Sequence, residues 1–103
     1  MVPNCIEFNQ FEKSHKFCKF TKSEIDLIKD NIETSVILGR KTDVELNNGM
    51  YGMYYSDKSF NSHHIEKFED EWYTVHSRDY AGKEIYYICD QFDELISLLK
   101  KLK

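Results

Sequence analysis

Proline, glycine, cysteine, alanine and arginine are all scarce in this chain, and the shortages exclude several classes of protein. One proline and four glycines in 103 residues exclude a collagen-like repeat and a low-complexity chain. Three cysteines are too few for a disulfide-dense scaffold, and Cys5, Cys18 and Cys89 have no CxxC spacing. They are therefore expected to be reduced thiols in a cytosol-like compartment, which predicts a cytoplasmic protein.

Long apolar runs are missing as well. No stretch approaches the roughly 18 apolar residues that a transmembrane helix needs. The first residues have neither the basic region nor the apolar region of a secretory signal. We therefore expect neither a membrane span nor a leader.

Basic residues are outnumbered by acidic ones. The chain has 14 lysines and arginines against 18 acidic residues, so its net charge is -4. Only Arg40 and Arg78 are arginines. Because nucleic-acid binding depends on the neutralisation of phosphates, this composition disfavours nucleic acid as a partner.

The abundant residues indicate a folded domain. Hydrophobic residues make up 41% of the chain, which is enough for one compact core in a single domain over residues 1–103. Lys, Ile, Phe, Tyr and Asn have AT-rich codons and are frequent, whereas Ala, Pro and Arg have GC-rich codons and are rare. This bias predicts an AT-rich genome of origin.

The clearest local signal in the first half is a helix start. Thr21 and Glu24 form a capping box, in which each side chain satisfies a free backbone amide. Isoleucines at helical spacing follow, so a helix is predicted over residues 21–34. An extension of this helix as far as a cap at Gly39 and a short strand over residues 34–37 are the two alternatives for its end.

The first twenty residues have no regular period. Residues 1–20 are predicted to be an irregular arm or a short strand, with the strand at residues 4–9. The arm would bury its aromatic side chains against the core; these are Phe8, Phe11, Phe17 and Phe20.

Antiparallel strands are predicted over residues 43–89. Asn48-Gly49 is a strong two-residue hairpin signal within residues 43–55. Aromatic and β-branched segments follow, as a pleated and half-buried surface favours. These segments are residues 64–68, 71–77 and 84–89, joined by turns at Glu69-Asp70 and at residues 79–82.

A second helix is predicted over residues 91–102, with Asp90 as its N-cap. Its apolar stripe has helical spacing and must lie on the sheet; it consists of Phe92, Leu95, Ile96, Leu99 and Leu102. The predicted fold class is therefore α+β. A single antiparallel sheet of four or five strands, connected as a meander, is flanked by an N-terminal and a C-terminal helix that cover one face.

Two segments near the C-terminus resemble a known group of proteins. They are Glu69-Asp-Glu-Trp-Tyr-Thr-Val75 and Tyr86-Tyr-Ile-Cys-Asp-Gln-Phe-Asp-Glu-Leu-Ile-Ser-Leu-Leu-Lys100. Small uncharacterised proteins of giant DNA viruses of protists share this acidic-aromatic strand and a Tyr-x-Cys-Asp-Gln run that opens the last helix. The resemblance covers the last third of the chain and implies a viral origin, although Glu94 stands near where a glycine is expected. It implies no activity, so no residue role is transferred.

Metal-binding and nucleophilic residue types are present but not in a diagnostic pattern. His63 and His64 are adjacent and point to opposite faces of a strand, so they do not share an ion. Cys89 precedes a helix N-terminus, which can lower a thiol pKa, but it shares strand parity with buried positions. We therefore predict no metal, no cofactor and no catalytic residue. A small thiol- or His-dependent enzyme that uses Cys89 is the alternative.

The aromatic surplus is the feature that most suggests a function. A strand alternates faces, so one of Trp72 and Tyr73, and one of Tyr86 and Tyr87, points away from the helices. Tyrosine and tryptophan are enriched at interface hot spots. The predicted interface residues are Trp72, Tyr73, Tyr86, Tyr87, Tyr54 and Tyr55. The opposing explanation is that the N-terminal phenylalanines cover this second face.

The leading prediction is a small non-catalytic protein-interaction module. It would be a viral accessory or host-interaction protein in the host cytoplasm that binds a protein partner, or a second copy of itself as a homodimer, through an aromatic sheet face. A single-stranded nucleic-acid binder that stacks bases on tyrosines is the third reading, which the net charge disfavours.

Overall fold

The computed structural model describes residues 1–32, 37–40 and 51–102. Within these residues the helices are α1 (Cys5–Ser14), α2 (Lys22–Asn31) and α3 (Phe92–Lys101). The strands are β1 (Phe17–Cys18), β2 (Ile37–Arg40), β3 (Gly52–Ser56), β4 (Ser62–Phe68), β5 (Trp72–Arg78) and β6 (Glu84–Cys89). A 3-10 turn, Glu69–Glu71, joins β4 to β5.

All strands belong to one antiparallel sheet with the order β2-β3-β4-β5-β6. From β2 to β6, strands that follow each other in the chain are neighbours in the sheet, which is the predicted meander. The short β1 pairs with Lys67 and Phe68 at the end of β4, where it continues the line of β3. The α+β fold class is confirmed.

The N-terminal segment differs from the prediction, because residues 5–14 form a helix rather than an arm or a strand. The side chain of Asn4 accepts a hydrogen bond from the Glu7 amide (2.9 Å), and the Glu7 carboxylate accepts one from the Asn4 amide (3.2 Å). This is a capping box of the same kind as the one at Thr21. The Asn4-x-x-Glu7 spacing is the signal that would have identified the helix.

Of the predicted alternative strand over residues 34–37, only Ile37 lies within the described residues, where it is the first residue of β2. Helix α2 begins with the predicted capping box and ends at Asn31, three residues before the predicted end. Gly39 does not cap a helix but lies in β2, opposite Met53 of β3. The first strand and the Asn48-Gly49 turn of the predicted hairpin lie outside the described residues. Its return strand is β3.

The C-terminal elements follow the prediction closely. Gly82 has a φ of 90° and donates its amide to the Asp79 carbonyl (3.0 Å), which closes the β5–β6 turn. The left-handed backbone of Asp70 (φ 64°) makes the tight β4–β5 turn. The N-cap of α3 is Gln91 and not Asp90, and Gln91 makes no side-chain capping bond.

Helices α2 and α3 cover one face of the sheet, which we call the core face. Side chains from both helices and from the central strands are buried together there: Phe20, Ile25, Ile28, Ile32, Met53, Tyr55, Ile65, Tyr73, Val75, Cys89, Leu95 and Leu99. Burial of one large apolar side chain contributes about 1.5–3 kcal/mol before conformational entropy is subtracted. This cluster is therefore a main source of stability.

The opposite face, which we call the α1 face, is only partly covered. Phe8 of α1 is buried against Tyr86, with ring centroids 4.7 Å apart. Phe11 packs edge-on against Phe68 (5.3 Å) and Trp72 (5.5 Å). Phe8 and Phe11 thus cover one part of this face and leave another part accessible, whereas Phe20 is buried on the core face.

Candidate functional site

The faces of the predicted interface aromatics follow strand alternation. Trp72 and Tyr86 lie on the α1 face, whereas Tyr73 and Tyr87 lie on the core face. One member of each pair therefore points away from α2 and α3, as predicted. Tyr54 also lies on the α1 face, because its cross-strand neighbour is His64.

Two of the six predicted residues are core residues. Tyr73 is 2% exposed and donates its hydroxyl to the Glu24 carboxylate. Burial and this hydrogen bond raise the pKa of Tyr73 well above its ordinary value. Tyr55 is 1% exposed, and its hydroxyl donates to the carbonyl of Leu102 (3.1 Å). Both rings are therefore core residues that offer almost no surface to a partner of the folded domain.

Two more of the six contact helices within the chain. Trp72 is half-buried under α1, with its ring 5.5 Å from Phe11 and 6.1 Å from His15. Tyr87 is half-buried and lines a groove of about 370 Å³ beside Leu98 and Leu102. These rings keep some exposure, but their main contacts stabilise the positions of α1 and α3.

Beside α1, and partly in contact with its Phe8, the α1 face carries a row of four rings that crosses four strands. We call it the aromatic strip: Tyr54, His64, His76 and Tyr86, which are successive cross-strand partners. Ring centroids are 5.0 Å apart for Tyr54 and His64, 6.3 Å for the two histidines and 4.6 Å for His76 and Tyr86. His64 is exposed and the other three are half-buried. The two tyrosines are among the interface residues predicted from the sequence, whereas the histidines between them are not.

Glu84 fixes one end of the strip through three hydrogen bonds. It accepts from Arg78 (2.8 Å), from the Tyr86 hydroxyl (3.0 Å) and from Nε2 of His76 (3.2 Å). The hydrogen bonds from Arg78 and Tyr86 hold the pKa of Glu84 below its ordinary value. A hydrogen bond with Cys5, burial and Glu84 together raise the pKa of Tyr86. The side chains at this end are therefore held in place without a ligand.

A buried polar network that no local sequence pattern predicts lies on the core face. His63 is 2% exposed and Ser77 7%. Nε2 of His63 lies 2.9 Å from Oδ2 of Asp57, and Nδ1 lies 2.7 Å from the Ser77 hydroxyl. The Tyr55 ring packs against the imidazole with centroids 4.8 Å apart. The three groups form a continuous chain of carboxylate, imidazole and hydroxyl.

Cys89 has the environment of a core residue. It is 2% exposed and lies opposite Tyr73 in the sheet. Burial, with a contribution from Glu94, raises its pKa to about 11, so the thiol is protonated at neutral pH. A protonated and enclosed thiol is a poor nucleophile. The alternative that relied on Cys89 thus loses its physical basis.

His63 and His64 point to opposite faces, as strand alternation predicts. In the described part of the chain, no three His, Cys, Asp or Glu side chains are arranged to hold a metal ion. Nor does any helix within residues 1–32 or 51–102 have the length and apolar character to cross a membrane.

Comparisons with protein-family models, curated proteins and solved structures find no match to this chain. The resemblance to proteins of giant DNA viruses therefore stays a prediction.

Proposed function

We propose that the chain is a small protein-interaction module that binds a protein partner through the aromatic strip. On this proposal it is a viral accessory or host-interaction protein of the host cytoplasm, in keeping with the AT-rich codon bias and the free cysteines. The observation that carries the proposal is the row of four rings on a sheet face that α1 covers only in part.

Preorganisation supports a role in binding. Ordering a flexible side chain at an interface costs about 0.5–1.5 kcal/mol. The strip avoids much of this cost, because Tyr86 is held by Phe8, His76 and Glu84 before any partner arrives. The strip can therefore contribute more of its contact energy to binding.

The chemistry of the strip favours a protein over a nucleic acid. Neighbouring rings stack on each other, at interplanar angles of 29° for Tyr54 with His64 and 15° for His76 with Tyr86. Their faces are thus largely used within the chain, whereas base stacking needs a free ring face. Glu66 and Glu84 lie on the same face of the sheet and repel phosphates. Hydroxyls, imidazoles and Arg78 suit the polar groups of a protein surface.

Site-specific crosslinking tests this proposal. A photo-crosslinking phenylalanine derivative is placed at position 64 in the strip, or at position 80 as the control. Tyr80 is 88% exposed in the β5–β6 turn, away from the strip. In a lysate of the native host cells we expect position 64 to capture one dominant protein and position 80 not to capture it.

The matched variants are His64→Glu and Tyr80→Ala, each assayed against the captured protein. We expect His64→Glu to weaken binding at least about tenfold, because it places a charge at the centre of the strip. Tyr80→Ala should leave the affinity unchanged. A crosslink between two copies of this chain would identify self-association as the use of the strip. Equal capture at both positions, or equal affinity of both variants, would refute the proposal.

A further inference from the structure

The network of Asp57, His63 and Ser77 lies on the core face, so the aromatic strip does not use it. We propose that it activates the Ser77 hydroxyl as a nucleophile toward small acyl esters. This inference does not rest on the proposed interaction function. It revives the His-dependent enzyme considered from the sequence, with Ser77 instead of Cys89 as the attacking group.

The arrangement of hydrogen bonds assigns the role of each group. Hydrogen bonds from His63, Asn61 and the Ser59 amide outweigh burial and keep the pKa of Asp57 below its ordinary value. An ionised carboxylate only accepts hydrogen bonds, so the imidazole must carry its proton on Nε2. In the neutral imidazole Nδ1 then has a free lone pair directed at the Ser77 hydroxyl, 2.7 Å away. This is the geometry of a general base and its nucleophile, with Asp57 as the positioning residue.

Asp57 is itself held rigidly in the β3–β4 loop. Its Oδ1 accepts from the amides of Ser59 (2.9 Å) and Asn61 (3.0 Å), and its Oδ2 accepts from the Asn61 side chain (3.1 Å). The Tyr55 ring packs against His63. The base therefore cannot rotate away from Ser77 without breaking several contacts.

The surroundings of Ser77 restrict the substrate to small groups. Ser77 is more exposed than its base, and its neighbour across β6, Ile85, is 38% exposed. Apolar surface beside the hydroxyl suits a short acyl chain, whereas a polypeptide would not reach a residue that is 7% exposed. The inferred substrate class is therefore a small ester of an aliphatic acid.

The proposed reaction is a two-step acyl transfer. The Ser77 oxygen attacks the ester carbonyl carbon while its proton moves to Nδ1 of His63. The imidazolium then gives this proton to the departing alcohol as the carbon–oxygen bond of the ester breaks. In the second step water attacks the acyl-serine, with His63 again as base, and releases the carboxylic acid.

A fluorophosphonate probe tests the inference, because capture requires only the first attack. The serine oxygen bonds to phosphorus, fluoride leaves, and His63 accepts the proton. We expect the folded wild-type protein to be labelled and mass spectrometry of its peptides to place the adduct on Ser77. An adduct elsewhere, or labelling only after denaturation, would overturn the inference.

The variants separate activation from simple accessibility. Ser77→Ala should abolish labelling, and His63→Gln should slow it about 100-fold, the typical contribution of a general base. Ser62→Ala is the control, because Ser62 lies on the neighbouring strand β4 and points to the opposite face of the sheet. This variant should be labelled like the wild type. If Ser77→Ala fails to fold, the adduct position in the wild type still decides. Labelling that is equally fast without His63 would overturn the proposed activation.

Discussion

The two faces of the sheet are built from different kinds of contact. The core face is closed by two helices, each of which buries two side chains: Ile25 and Ile28 from α2, and Leu95 and Leu99 from α3. On the other face, α1 buries Phe8 alone. Apolar burial scales with the area removed from water, so the core face supplies most of the stability. The α1 face keeps rings and charges accessible because the fold does not need them for its core.

Adjacent histidines show the difference most clearly. His63 and His64 are neighbours in β4, yet His63 is buried between Asp57 and Ser77 while His64 is exposed in the aromatic strip. The same residue type is therefore part of a buried hydrogen-bonded network on one face and part of an accessible surface on the other.

The largest expected effect comes from shortening one buried side chain on each face. Leu99→Ala should lower the free energy of unfolding by about 3 kcal/mol, because Leu99 is fully buried in the core. Phe8→Ala should instead release α1 locally, since Phe8 is its one buried residue. Urea denaturation measures the first effect. Hydrogen exchange measures the second, as a loss of protection in α1 with β4 and β5 still protected.

The contrast between the two faces would be wrong if Phe8→Ala, like Leu99→Ala, destabilised the whole domain. Loss of protection in β4 and β5 for Phe8→Ala would mean that α1 and the sheet unfold as one cooperative unit. Ile6→Ala is the control for α1, because Ile6 is on the same helix but 70% exposed. It should leave both the exchange pattern and the urea midpoint unchanged.

A smaller effect separates the two histidines. His63→Phe keeps an aromatic ring but removes the two hydrogen bonds that His63 makes, one with Asp57 and one with Ser77, and should cost about 2 kcal/mol. His64→Phe, one residue along the strand, should change stability by less than about 0.5 kcal/mol. Thermal unfolding of the two variants gives the comparison. Equal losses would show that the polar network adds nothing beyond the packing of the ring.

The fold could be predicted because its signals are local. The capping box at Thr21, the glycine turn at Gly82 and the apolar stripe of α3 are each contained within a few residues. The helix α1 was missed although it has a comparable signal at Asn4 and Glu7, because the apolar residues of the first twenty positions have no regular period.

The candidate sites depend on register, which local signals do not supply. The aromatic strip joins residues from four strands, and a shift of one residue in any pair would turn a ring to the other face. Asp57 and Ser77 are twenty positions apart in the sequence. Their link through His63 depends on the conformation of the β3–β4 loop and on the register of β4 with β5. The alternation of faces along a strand predicts that His63 and His64 point to opposite faces. It does not predict which residues each histidine contacts.

The smallest expected effect concerns Glu24, which ties α2 to the sheet on the core face. Its carboxylate accepts from Lys67 (2.8 Å) and from the Tyr73 hydroxyl, and it closes the capping box with Thr21. Burial alone would raise the pKa of Glu24, but these hydrogen bonds outweigh it and lower the pKa below its ordinary value of 4.5. Because the folded-state pKa is lowered, the stabilisation by Glu24 is complete above the ordinary pKa of 4.5. It is lost as the pH falls through the folded-state pKa.

We therefore expect Glu24→Gln to be less stable than the wild type by about 1 kcal/mol at neutral pH. The gap should narrow steadily as the pH is lowered below 4.5 and through the lowered folded-state pKa, because protonation removes the same charge from the wild type. Urea midpoints across this range measure the gap. Asp26→Asn, an exposed acid on the same helix, is the control and should show no comparable convergence. A gap that stays constant with pH would show that the charge of Glu24 does not cause the difference in stability.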